Sequence, residues 1–172
     1  MVEVVRLASD LQNDSIVDGA GIRTVIWMQG CSHNCLGCHN PESHDFNGGF
    51  LKNLDDLLDE ISELDGQQGI TLSGGEPLMQ PEAALAIAKY AKYGGLDVWA
   101  WSGFVFEQLI EFSKTKPVYL ELLKNIDVLV DGKFELENKS LNCKFRGSTN
   151  QRILDVAKSL EQNEVVLHEK YN

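Results

Sequence analysis

The sequence predicts a single α/β domain, residues 1–172, built on a mainly parallel sheet. Three observations carry that expectation. The length of 172 residues suits one domain with a full hydrophobic core. Short β-branched runs alternate with segments of helical periodicity, the pattern of right-handed βαβ crossovers. Four strand-like runs each end in a glycine-containing segment with polar side chains: QGC, SGGEP, SGF and DGKF. In parallel α/β folds such strand ends face one ligand-binding edge. One loop of this kind is only a turn. Four in register imply a shared site.

The elements follow in order. Residues 22–28 (IRTVIWM) read as the first buried strand. Leu51, Leu54, Leu57, Leu58, Ile61 and Leu64 recur at helical spacing. Asn53 serves as N-cap, Asp55 and Asp56 occupy the first turn, and Gly66 is the stop. ITLS (70–73) is a short strand. Pro81 opens a helix that runs to Tyr93 and ends at Gly94-Gly95. LDVWAW (96–101) is the next strand, and a helical pattern covers 105–112. Pro117 breaks it before a short helix around 119–124. IDVLV (126–130) is the fourth strand. Residues 150–160 read as a helix, with a last strand at 164–168. Trp27, Trp99 and Trp101 read as core, and the acidic stretch at 55–65 reads as a solvated helix face.

Composition narrows the class of function. A hydrophobic fraction of 43% describes a folded chain, not a disordered one. No apolar run approaches the ~18 residues of a membrane span. The start lacks the apolar core of a signal peptide, so a cytoplasmic protein is expected. The chain has 26 acidic and 15 basic residues, a net charge of −11. That balance disfavours binding nucleic acid by phosphate neutralisation. The N-x-S matches at Asn13 and Asn138 mean nothing without secretion.

Cysteine usage is the sharpest signal. Of four cysteines, Cys31, Cys35 and Cys38 form a C-x3-C-x2-C cluster. Four in 172 residues are too few for a disulfide scaffold. Three crowded thiolates point to a soft metal in a reducing compartment. Zinc needs a fourth ligand, which His33, His39 or Cys143 could supply. The Cys35-Leu-Gly-Cys38-His39 match to a haem attachment site needs export and leaves Cys31 unexplained. A three-cysteine iron–sulfur cluster leaves one iron open, as chemistry at a metal requires. On spacing alone, zinc and iron–sulfur stand level.

A wider set of motifs resembles a known family. C-x3-C-x2-C after the first strand, with Gly74-Gly75-Glu76-Pro77 after the second, resembles the radical S-adenosylmethionine enzymes. Residues 18–23 (DGAGIR), 38–42 (CHNPE), 99–104 (WAWSGF), 130–134 (VDGKF) and 145–152 (FRGSTNQR) resemble one group within it. That group is the activating enzymes of anaerobic (class III) ribonucleoside-triphosphate reductase. The resemblance runs from about residue 15 to about 155. Ala20 departs from it, standing where proline is common, and the last dozen residues match nothing in it.

The resemblance implies a partial (open) parallel β/α barrel of the radical S-adenosylmethionine type. It implies a [4Fe–4S] cluster held by Cys31, Cys35 and Cys38, with S-adenosylmethionine on the fourth iron. Gly74, Gly75 and Glu76 would bind the methionine ammonium. Gly37, Cys38 and His39 would approach the adenine, and Ser102, Asp131 and Lys133 would meet the cofactor's polar groups. Arg146 would face a carboxylate or cap a helix, Arg23 would brace the cluster loop, and Cys143 would be a bystander. The implied activity is reductive cleavage of S-adenosylmethionine to make a glycyl radical on the reductase. A low-potential donor such as flavodoxin or ferredoxin would supply the electron. The alternatives are an activase of the pyruvate formate-lyase type, an enzyme acting on a small molecule, and a non-catalytic zinc-binding domain. A closed eight-strand barrel takes about 250 residues, so 172 can build only part of one.

Overall fold

A computed structural model describes residues 2–171. The expected domain of 1–172 therefore includes two terminal residues that lie outside the described ones. Eight strands form one mixed sheet. They are β1 (Val4–Leu7), β2 (Gln12–Ser15), β3 (Arg23–Met28), β4 (Phe50–Asn53), β5 (Gly69–Gly74), β6 (Asp97–Ser102), β7 (Val128–Asp131) and β8 (Arg152–Asp155). The sheet order is β4-β1-β3-β5-β6-β7-β8, with β2 also paired to β3. Strands β3, β5, β6 and β7 run parallel. The other strands attach antiparallel. The sheet is open, with β4 at one end of the path and β8 at the other.

Five α-helices lie among the described residues: α1 (Leu54–Ser62), α2 (Pro81–Tyr93), α3 (Phe106–Ser113), α4 (Val118–Leu123) and α5 (Val156–Gln162). Asn53 caps α1, its side chain accepting from the amides of Asp55 at 2.8 Å and Asp56 at 3.3 Å. Such a cap contributes ~1 kcal/mol. Leu54, Leu57 and Ile61 turn inward, and the acidic residues beside them stay exposed. Pro81 stands at the start of α2, where a missing N–H costs nothing.

Side chains alternate across the sheet. Ile26, Met28, Ile70, Leu72, Val98, Ala100, Leu129 and Leu154 pack with the helices in one large core. The odd positions of β6 and the even positions of β7 face the other way. There Trp99, Val128, Val130 and Ile153 form a smaller core, against which Ala20, Phe145 and Tyr171 pack. Helices thus cover one face, and loops and the C-terminal segment cover the other. At the C-terminal ends of the parallel strands, Met28 pairs with Gly74 and Ser102 with Asp131. The four strand-end loops consequently meet at one edge.

Several expected elements change. Leu51 lies on β4, paired with Arg6, and is 57% exposed, so the helical run begins later. Residues 150–160 split into β8 and α5, because Asp155 caps a helix by accepting from the Lys158 amide at 3.0 Å. Residues 164–168 form a single bridge, Leu154 to Leu167, instead of a strand. Strands β1, β2 and β4 lacked a sequence signal. They are short antiparallel strands at the β4 side of the sheet, and the residues of β2 (QNDS) carry no apolar alternation. Of the three tryptophans only Trp99 is buried.

Candidate active site

The segment after β3 enters a loop without regular structure that carries all three clustered cysteines. Its two ends are held by main-chain bonds. Gly30 N donates to Ser43 O at 2.8 Å and Cys31 N to His44 O at 3.1 Å. On the other side, Glu76 N donates to Gly30 O at 2.9 Å, which joins this loop to the one after β5. Gly75 sits in that crossing. A Cβ there would lie 2.6 Å from Gly30 O and 2.8 Å from Ser43 O, so only glycine lets the two loops touch.

The loops enclose a cavity of about 930 Å³, toward the upper end of the ~300–1,000 Å³ of small-molecule sites. Cys31, Cys35 and Cys38 all line it, with His39, Gly74, Gly75 and Ser102. Trp27, Trp101 and Phe134 form apolar walls. The segment from Lys139 to Gly147 closes a further side and brings Cys143 into the lining. All four cysteines are free thiols.

Asn40 N lies 3.4 Å from Cys38 Sγ and donates to it. The main chain at His33 and at Phe134 favours the charged forms of Cys31 and Cys35 respectively. Burial pushes the thiols of Cys31 and Cys35 up. The Cys31 thiol is also raised by Glu76, Cys35 and Cys38, whereas Lys133 acts in the opposite sense on Cys35. Cys31 and Cys35, crowded with Cys38 and disfavoured as thiolates by burial, fit a cation or a cationic cluster, which supplies the missing charge. Among the described residues, no three His, Cys, Asp or Glu side chains gather as a single metal ion requires. A four-iron cluster asks for something different, because each thiolate meets its own iron.

The other expected residues divide. Glu76 is fully buried and lies outside the lining. Its Oε1 accepts from Leu78 N at 3.0 Å and Ser102 Oγ at 3.1 Å, and its Oε2 from Gly103 N at 2.7 Å. Asp131 is buried against Arg152 and the start of α3. Lys133 is exposed, and Gly37 lies against Leu136. None of these three lines the cavity. Arg23 braces the far end of the sheet instead of the cysteine loop. It donates to Thr71 Oγ1 at 2.9 Å and Ile70 O at 2.7 Å, and its Nη2 lies 2.5 Å from Asp97 Oδ1. Arg146 donates to Gln151 O at 2.8 Å within its own loop. Gln151 binds Gly147 N at 2.8 Å and Gly132 O at 3.0 Å, stitching that wall to the end of β7. The FRGSTNQR motif signalled this wall, but spacing gave no sign that it folds over the cysteines.

Residues 17–154 match the family described as "4Fe-4S single cluster domain". The anaerobic ribonucleoside-triphosphate reductase-activating protein of Haemophilus influenzae is 34% identical over 148 residues, 80% of this chain and 90% of that protein. The protein of the same name from Enterobacteria phage T4 is 35% identical over 144 residues, 80% of this chain and 86% of its own. That of Escherichia coli K12 is 35% identical over 147 residues, covering 79% and 90%. Among solved structures, QueE from Escherichia coli shares the fold at a TM-score of 0.50 and 14% identity. The match covers 58% of this chain and about half (52%) of that one. The chain belongs to the family of anaerobic ribonucleoside-triphosphate reductase-activating proteins, and most of it matches the 4Fe–4S single cluster domain.

Proposed function

We propose that the chain is a radical S-adenosylmethionine activase that installs a glycyl radical on anaerobic ribonucleoside-triphosphate reductase. One observation carries the reading. The thiols of Cys31, Cys35 and Cys38 share one cavity at the C-terminal edge of four parallel strands. Cys31, Cys35 and Cys38 would hold three irons of a [4Fe–4S] cluster, leaving the fourth for S-adenosylmethionine. The bound cluster would supply one electron to the adjacent sulfonium, giving methionine and a 5′-deoxyadenosyl radical that takes hydrogen from a glycine Cα of the reductase.

The chain's own residues orient and shelter that chemistry. Gly74 and Gly75 offer close backbone approach for the methionine end. His39 lies beside Phe134, ring centroids 5.2 Å apart, on a wall suited to adenine. Trp27 and Trp101 exclude water. Glu76 acts from behind the lining, through Ser102 and Gly103. The open sheet, with helices packed on one face, supports the partial-barrel reading that the family resemblance implies. It leaves room for a protein substrate, and a flavodoxin or ferredoxin would deliver the electron.

Cysteine variants test the ligand set. Cys35→Ala should lose the cluster and all formation of 5′-deoxyadenosine. Cys143→Ala should retain iron, sulfide and cleavage at wild-type levels. Loss of the cluster in the Cys143 variant would overturn the three-ligand assignment.

A further inference from the structure

His33 sits midway between Cys31 and Cys35, and its side chain is only 6% exposed although Ser32 and Asn34 beside it are exposed. Its Nε2 lies 2.8 Å from Glu76 Oε2. The ring of Phe104 meets it at 70°, centroids 4.6 Å apart. Gly103 leaves room for it, since a Cβ there would lie 2.3 Å from His33 Cδ2. The ring therefore fills a socket built by the loops after β5 and β6. Ser32 reaches only the sulfur of Met79, at 3.9 Å, so His33 is the strong side-chain tie between Cys31 and Cys35.

Glu76 is the hub of that socket. Leu78 N, Ser102 Oγ, Gly103 N and His33 Nε2 all converge on its two oxygens. A carboxylate accepts about four hydrogen bonds, so little capacity is left for a ligand's ammonium group. A buried carboxylate with this many partners also resists reorientation.

We infer that His33 and Glu76 are positioning residues, a peg and socket that fixes the cysteine loop to the ends of β5 and β6 before any cluster is present. Glu76 thus acts on the cofactor through His33 and the main chain. The inference deepens the proposed function, and its cofactor arm rests on that reading. The cysteines and the methionine-binding glycines move as one body because this pair joins them.

The test compares His33→Ala, Glu76→Ala, the double variant, and His33→Gln, whose amide nitrogen can stand where the ring Nε2 does. In reduced apoprotein, amide hydrogen exchange across residues 31–39 should quicken about tenfold in each alanine variant. The double variant should be no faster than the worse single variant. His33→Gln should restore most of the protection. In reconstituted protein with full iron content, His33→Ala should weaken equilibrium binding of S-adenosylmethionine as much as Glu76→Ala does. If Glu76→Ala alone weakens binding, with exchange unchanged in both variants, Glu76 holds the cofactor directly and the inference is wrong. Wild-type protein that binds no S-adenosylmethionine would remove the functional reading instead, and the exchange arm would still decide the peg.

Discussion

Arg152 holds two carboxylates at once. Its Nε and Nη2 lie 2.9 and 2.6 Å from the two oxygens of Asp131, and its Nη1 and Nη2 lie 3.0 and 2.7 Å from those of Glu107. Asp131 also accepts from Phe106 N at 2.7 Å, so one buried carboxylate ties β7, β8 and α3 together. This explains why Asp131 stays out of the cavity. The DGKF motif placed it at the right strand end but could not show that Arg152 lies directly opposite across an antiparallel pair. The hydrogen bond from Arg152 holds the Glu107 carboxyl below its ordinary value of 4.5. A carboxyl lowered on folding adds stability above its unfolded value, and that stability is lost as pH falls through the folded value. Thermal midpoints from pH 6 to pH 3 should therefore show wild type above Glu107→Gln at pH 6, with the gap closing below about 4.5. A gap that stays constant to pH 3 would mean the pair contributes nothing through ionisation.

At the scale of elements, the C-terminal segment has a definite place although it matched no motif. Asp155 N donates to Val166 O at 3.0 Å and His168 N to Ile153 O at 2.8 Å, so the segment returns along β8. Tyr171 then packs on Trp99 at 5.2 Å and Phe145 at 5.6 Å. Phe145 O accepts from Trp101 Nε1 at 3.1 Å, which links this cluster to the cavity wall. Tyr171→Ala should lower unfolding free energy by ~1–3 kcal/mol, from two or more lost aromatic contacts. Tryptophan emission should shift to longer wavelength as water reaches Trp99, while Tyr171→Phe stays near wild type. An unchanged urea midpoint would show that the segment does not support this floor. The helices were legible because burial on one face repeats about every 3.6 residues, and the parallel strands because they are short continuous apolar runs buried on both faces. Strands β1, β2 and β4 and the pairing of this tail were not, because their order comes from distant partners and not from local pattern. Trp27 and Trp101 were misread for a related reason. An apolar residue facing a cavity looks the same in sequence as one facing the core.

At the scale of the molecule, helices cover one face of an open sheet and the site occupies the other. The cysteines, the glycine pair after β5 and the Ser102 strand end were all legible, because each motif follows a strand and parallel strands end together. The positions of Glu76 and His33 were not, since only tertiary structure brings a histidine within the cysteine motif against a carboxylate 43 residues away. The net charge of −11 fits a protein partner and selects none. No helix among the described residues is long and apolar enough to cross a membrane. The most direct test mixes the anaerobically reconstituted, reduced protein with S-adenosylmethionine and anaerobic ribonucleoside-triphosphate reductase and records the electron paramagnetic resonance spectrum. The account predicts a glycyl doublet on the reductase, absent with Cys35→Ala. A fully loaded protein that cleaves S-adenosylmethionine yet leaves the reductase without that signal, while activating another glycyl-radical enzyme, would contradict it.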